Sequence, residues 1–153
     1  MNIKINKIEF KKVIPCEEQV IALYDLLTLR QHKISHEKKP SFHDHEIFVK
    51  SKPYRFWYLV YNGTDILGSF YISNENTIGI NIIKNENLDL ISSILDMVNK
   101  KHSPLPPVKS IRGSFFSVNV PPSNKFLIES LKKLGAKLAQ VTFILIDGDN
   151  DIL

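Results

Sequence analysis

The sequence predicts an α+β fold: one mixed, mostly antiparallel sheet covered by helices on both faces, an α/β/α sandwich. Two observations carry this. The predicted elements run strand, helix, helix, a three-strand meander, and then helix and strand in alternation, an order that places antiparallel and crossover connections in one sheet. In the first strand of the meander, Phe56, Trp57, Leu59 and Val60 occupy both alternating faces, so that strand needs cover on both sides.

Element by element, "NIKINKIEFKKVI" alternates Ile3, Ile5, Ile8 and Phe10 with polar residues and slips once in its period, which predicts a strand with a bulge. After Pro15, "EEQVIALYDLLTLR" spaces Val20, Leu23, Tyr24 and Leu27 as a helix does, with Glu17 and Glu18 at the end where the helix dipole favours acids. "QHKISHEKKP" is polar and ends at proline, an exposed loop. Ser41, with Asp44 three residues on, reads as the cap of a second helix through Lys50 carrying Phe42, Ile47 and Phe48. "YRFWYLVYNGTDILGSFYIS" holds two aromatic and β-branched runs around Asn62-Gly63, a hairpin signal. A turn at "NENT" leads to a strand over 78–83, followed by a helix over 88–100, a Pro-rich loop over 103–107, a strand over 110–118, a helix over 124–134 and a strand over 137–146.

The 153 residues, 43% of them hydrophobic, suffice for one compact domain spanning 1–153. No apolar run approaches the roughly 20 residues of a membrane span, and the charged, alternating start is unlike a signal peptide, so the expectation is a soluble, cytoplasmic protein with no membrane partner. Cys16 is the one cysteine, which excludes an intrachain disulfide and a thiolate metal cluster and leaves an incidental thiol. The net charge is +4, but Lys11-Lys12, Lys38-Lys39, Lys100-Lys101 and Lys132-Lys133 are dispersed pairs on separate elements. That pattern is solvated surface rather than a nucleic-acid face.

The stretch "SVNVPPSNKFLIESLKKLGAK" resembles the end of the GCN5-related N-acetyltransferase superfamily: a strand ending in asparagine (Asn119), a turn (Pro121-Pro122), a capped helix (Ser123 or Asn124 as cap) and a stop at Leu134-Gly135. "PYRFWYLVYNGTDILGSFYI" resembles the second and third strands of these enzymes, and the resemblance covers nearly the whole chain from Ile3 to Ile146. It implies a single domain in which the fourth and fifth strands, here 78–83 and 110–118, splay apart and receive the pantetheine arm of acetyl-CoA. It also implies a pyrophosphate loop at the junction of the fourth strand and third helix. Where the family carries a Gln or Arg and spaced glycines, which let backbone N–H groups approach phosphate, this chain has "KNENLD". The loop is degenerate, and Glu86 and Asp89 bring negative charge to the phosphate position. The tyrosine that supplies a proton to the thiolate in many members is here Leu131.

The implied cofactor-binding set is Asn81, Ile82, Ile83, Lys84 and Asn85, with Asn119 and Asn124; backbone groups around 81–83 would polarise the thioester carbonyl. Asn119 is the strongest polar candidate, against the alternative of a turn-forming amide before Pro121. His36 or Glu46, on the side where the family takes its acceptor, could deprotonate an amine. His32 and His36 have i,i+4 spacing, but in a loop that spacing builds no metal site, and no metal is expected. The aromatic group Tyr54, Phe56, Trp57, Tyr58, Tyr61, Phe70 and Tyr71 is read mostly as core, with an acceptor pocket as the alternative. The leading functional reading is an enzyme, an acetyl-CoA-dependent N-acetyltransferase acting on a primary amine of a small molecule or a protein. The alternatives are a non-catalytic binding or regulatory module of the same fold and an acyltransferase using another acyl carrier. Homodimerisation is left open.

Overall fold

A computed structural model describes residues 7–30 and 38–145. Its strands are β1 (Ile8–Lys12), β2 (Phe56–Asn62), β3 (Asp65–Ile72), β4 (Thr77–Ile82) and β5 (Ser117–Val118), in one sheet of order β1-β2-β3-β4-β5. The first three pairings are antiparallel and β4 to β5 is parallel, the mixed sheet that the element order predicts. Ile3 and Ile5 lie outside the described residues.

The β2–β3 hairpin closes on the pair Asn62↔Asp65, leaving Gly63 and Thr64 as the loop. Gly63 takes φ +63, the left-handed conformation such a turn requires. A bulge between Val60 and Tyr61 shifts the register. Opposite it, Gly68 meets Ile82, and a Cβ on Gly68 would stand 2.1 Å from the Asn81 carbonyl oxygen. The two backbones approach so closely that only glycine fits.

Helices α1 (Glu17–Leu29) and α2 (Phe42–Lys50) cover one face. Val20, Leu23 and Leu26 of α1 and Val49 of α2 bury themselves around Leu59, with Trp57, Tyr61, Ile66 and Ile83 at the margin. Ser41 caps α2 as its sequence predicts, its hydroxyl accepting from the Asp44 N–H at 3.2 Å. His45, buried, places Nε2 3.0 Å from the Val20 carbonyl and so pins α2 to α1. The other face holds α3 (Leu88–Lys101) and α4 (Lys125–Lys133). Leu90, Ile94 and Val98 of α3 pack on Val60, Leu67, Phe70 and Ile72, while Leu127 and Leu131 of α4 join Ile91.

Two predicted strands differ. Instead of a strand over 110–118, only Ser117–Val118 pairs with β4. Upstream the chain turns at Ser110, with φ +65, inside an isolated bridge between Val108 and Arg112. Side chains satisfy this loop in place of a ladder: Arg112 donates to Pro106 O at 2.7 Å and Asn74 O at 3.0 Å. Buried Asn76 donates to Leu105 O and Gly113 O, each at 3.0 Å, and accepts from the Leu105 N–H at 2.7 Å. The strand predicted over 137–146 forms no ladder in its described part, 137–145, all of which is exposed; Ile146 lies outside the described residues. Alternation specifies the faces of a strand, whereas the ladder needs a free edge beside it.

Candidate functional site

The site begins with β4, because its partner on one side runs out. β5 pairs with it only at Thr77↔Ser117 and Ile78↔Val118, and beyond Ile78 the pairing stops. Along β4 the backbone groups alternate between neighbours. Ile83 gives its N–H to Leu67 O at 2.8 Å, so Asn81 and Ile83 turn theirs to β3, while Ile80 and Ile82 turn theirs to the β5 side. Past the ladder, those two residues present backbone N–H and C=O groups to a gap instead of a strand.

That gap is lined by Ile80, Ile82, Glu86, Ile91, Asn124, Phe126 and Leu127 and encloses about 10 Å³, room for roughly one water. Its apolar walls belong to the cluster around Ile91, Leu127 and Leu131. Asn124 stands at the rim and caps α4, its side chain accepting from the Leu127 N–H at 3.2 Å.

At the start of α3, Asn87 caps the helix and accepts from the Leu90 N–H at 2.8 Å. Asn85 takes φ +56, a left-handed conformation that asparagine tolerates better than most residues. Its Nδ2 is buried without a hydrogen-bond partner, while its carbonyl accepts from Asn87 Nδ2 at 2.9 Å. Lys84 turns away to Asp65 at 3.1 Å. The open β4 backbone groups are of the kind that an acyl-thioester arm would pair with, in a gap that as it stands holds about one water. The junction before α3 does not fit pyrophosphate: its cap is taken by Asn87, its nearest cation is paired, and Glu86 faces the gap.

On the face carrying α1 and α2, Tyr71 of β3 lies flat across Gly79 of β4, where a Cβ would meet its ring at 2.2 Å. Tyr54 stacks on Tyr71 with centroids 3.8 Å apart, and Trp57 and Phe48 meet Tyr54 edge-on at 4.9 and 5.9 Å. Burial pushes the Tyr54 hydroxyl up to about 12, with Tyr71 adding to the rise and Arg30 opposing it. Arg30, at the end of α1, keeps a buried Nε without a hydrogen-bond partner. The aromatic residues thus divide between layers: Tyr54, Trp57, Tyr61 and Tyr71 toward α1 and α2, and Phe56, Tyr58 and Phe70 toward α3.

The remaining predicted residues are dispersed. Asn119 is exposed just after β5. Glu46 pairs with Lys50 at 3.6 Å and lines a groove of about 280 Å³ between α1 and α2, with Pro15, Glu17, Val20 and Phe42, sharing no wall with the β4 gap. His32 and His36 lie outside the described residues. Leu131, where the family carries its tyrosine, is buried in apolar surroundings. Among the described residues no three His, Cys, Asp or Glu side chains converge as metal ligands. Sequence reasoning missed Ile80, Asn87 and Gly68. The glycine inside a strand pattern was the available signal for close backbone approach, and "NLDL" carries a cap signal at Asn87.

No protein-family model and no curated protein matches the sequence. Solved structures do match. A possible acetyltransferase from Clostridium difficile 630 is 11% identical, with a TM-score of 0.53 over 94% of this chain and 99% of that one. An aminoglycoside acetyltransferase from an uncultured soil metagenomic sample, in complex with sisomicin, is 10% identical, with a TM-score of 0.54 over 92% and 97%. The dodecameric spermidine N-acetyltransferase from Vibrio cholerae is 13% identical, with a TM-score of 0.54 over 84% and 78%. With the mixed five-strand sheet and its helical layers in agreement with the sequence resemblance, the fold of this chain is that of the GCN5-related N-acetyltransferases.

Proposed function

We propose that the protein is a cytoplasmic, single-domain N-acetyltransferase that moves an acetyl group from acetyl-CoA to a primary amine of a small molecule or protein. The observation that carries this reading is the early end of the β4–β5 ladder, which leaves the backbone of Ile80 and Ile82 facing a gap. When bound, acetyl-CoA would supply the activated acyl group. This chain would contribute backbone N–H groups of β4 toward the thioester oxygen and Asn119 and Asn124 as positioning amides, with His36 taking the amine proton; Glu46, paired with Lys50 and on a groove separate from the β4 gap, would serve only an acceptor that reaches across from that groove. Spermidine and aminoglycoside acetyltransferases among the structural neighbours make polyamine-like and aminosugar-like amines the first acceptors to try.

A second reading, a non-catalytic module of the same fold, is favoured by the gap volume of about 10 Å³ and by Glu86 at its rim. Calorimetric titration with acetyl-CoA separates the two. Saturable binding accompanied by acetylation of an amine supports the enzyme, and absence of both supports the module.

A further inference from the structure

Two of the lysine pairs that the sequence disperses meet in the fold. Lys12 ends β1 opposite Tyr58, and cross-strand partners share a face. Its side chain therefore lies on the α3 side, with Nζ 5.4 Å from the centre of the Phe56 ring. Arg55, just before β2, brings its guanidinium carbon to 5.2 Å from the same ring and donates through one nitrogen to Ser103 O at 2.9 Å. Lys101 ends α3. His102, the next residue, packs on Phe56 with ring centroids 4.0 Å apart and places Nε2 2.7 Å from the hydroxyl of buried Tyr58.

This corner is positive without an acid to balance it. Among the described residues the ion pairs use Lys7, Lys50, Lys84 and Lys132, and none involves Lys12, Arg55 or Lys101. Burial first, and then the charges of Arg55, Lys101 and Lys12, hold the His102 imidazole below its ordinary pKa, with no carboxylate acting the other way. The carboxyl end of α3 attracts a cation at its last turn, which accounts for Lys101 but not for two more arriving from the sheet. A cation over a ring gains about 0.5–1 kcal/mol at an exposed site and keeps its charge. Three positive groups from separate elements thus converge around one aromatic ring and one imidazole, and their mutual repulsion is unrelieved.

We propose that this corner binds the dianionic phosphate group of a small phosphate monoester, held by Lys12, Arg55 and Lys101 with His102 beside them. A dianion fits better than a single carboxylate because it balances two of the three positive charges. The arginine fork and the lysine point charges both match phosphate oxygens, and negative charge at the site would let His102 take up a proton and become a further donor. The corner is separate from the junction of β4 with α3. The 14 residues of α3 lie between them, about 20 Å of helix, so the ligand here is distinct from any bound at that junction.

The probe is inorganic phosphate added to the full chain at constant ionic strength, with sodium chloride as the balancing salt, and read from the histidine ring signals by NMR. The His102 signal should move saturably and titrate at a higher pH in phosphate than in chloride, while His43 and His45 of α2, on the opposite face, stay in place. A response that never saturates, or that the α2 histidines share equally, would overturn the proposal. Lys12→Gln combined with Lys101→Gln, both exposed, should weaken phosphate binding by ~10-fold or more. Lys132→Gln combined with Lys133→Gln removes the same charge from α4 and should change it by no more than about twofold; equal weakening by the two pairs would reduce the effect to net charge and overturn the site. Methyl phosphate should bind as phosphate does. Its rejection, or acetate binding equally well, would overturn the class of ligand.

Discussion

Asn76 offers the sharpest test of how this fold holds its fifth strand. It is 1% exposed, takes φ +62, and binds Leu105 O, Gly113 O and the Leu105 N–H through its side chain. Its own carbonyl accepts from the Ser117 N–H at 3.0 Å, the first rung toward β5. Asn76→Ala deletes three side-chain hydrogen bonds at about 1 kcal/mol each and puts alanine in a left-handed conformation costing about 1 kcal/mol more. The expected loss of about 4 kcal/mol is a large share of the roughly 5–15 kcal/mol that stabilises a domain, and corresponds to a fall in Tm of ~10 °C. Asn76→Gly accepts the backbone conformation and should lose mainly the hydrogen-bond share, about 3 kcal/mol. Urea unfolding measures both, and hydrogen exchange at the Leu105 amide should accelerate with them. If both variants lie within about 1 kcal/mol of the wild type, Asn76 does not hold the loop over 103–116 and its three hydrogen bonds carry no net stability.

Gly68→Ala should destabilise by about 1–3 kcal/mol, because its Cβ would stand 2.1 Å from Asn81 O and 2.8 Å from Ile82 Cα, both backbone atoms; equilibrium denaturation with an unshifted midpoint would refute that close approach. Burial first, with Lys39 adding, holds His45 below its ordinary pKa despite the opposing Val20 hydrogen bond, and burial with Arg55, Lys101 and Lys12 does the same to His102. The folded chain therefore binds fewer protons than the unfolded one as pH falls through about 6.5, so this contribution to stability should be present above that pH and be lost progressively below it. Thermal melts across this window check the sign, and His45→Gln should flatten the slope. Glu86→Gln with Asp89→Asn should tighten acetyl-CoA binding at low salt and lose that advantage at high salt; equal affinities for variant and wild type at low salt would discard charge repulsion as the defect.

Local chemistry makes much of the fold legible in the sequence. Ser41 with Asp44, Gly63 after Asn62, and Gly135 after Leu134 each announce a boundary that the structure shows, because caps and turns are satisfied within a few residues. Both misassigned strands depend on partners far along the chain. Residues 110–116 are tied down by side chains, Gly113 O accepting from Asn76 and Arg112 donating to Pro106 O and Asn74 O, and residues 137–145 have alternation without an adjacent edge. For the site, the resemblance points to one location, the junction of β4 with α3. The resemblance assigns its open backbone groups to 81–83, whereas register gives them to Ile80 and Ile82; a one-residue change in strand phase exchanges the two sides. Asn119 belongs to a motif that fixes its place after β5 but not its environment.

The single tryptophan gives this molecule an internal optical reporter. Trp57 sits 6.1 Å from Phe48 of α2 and 4.9 Å from Tyr54, with the stacked Tyr71 behind. Excitation of those tyrosines should transfer efficiently to the indole, whose emission then reads the seating of α2 on the sheet. A fall in tyrosine-sensitised Trp57 emission would thus mean that the α2 layer is opening.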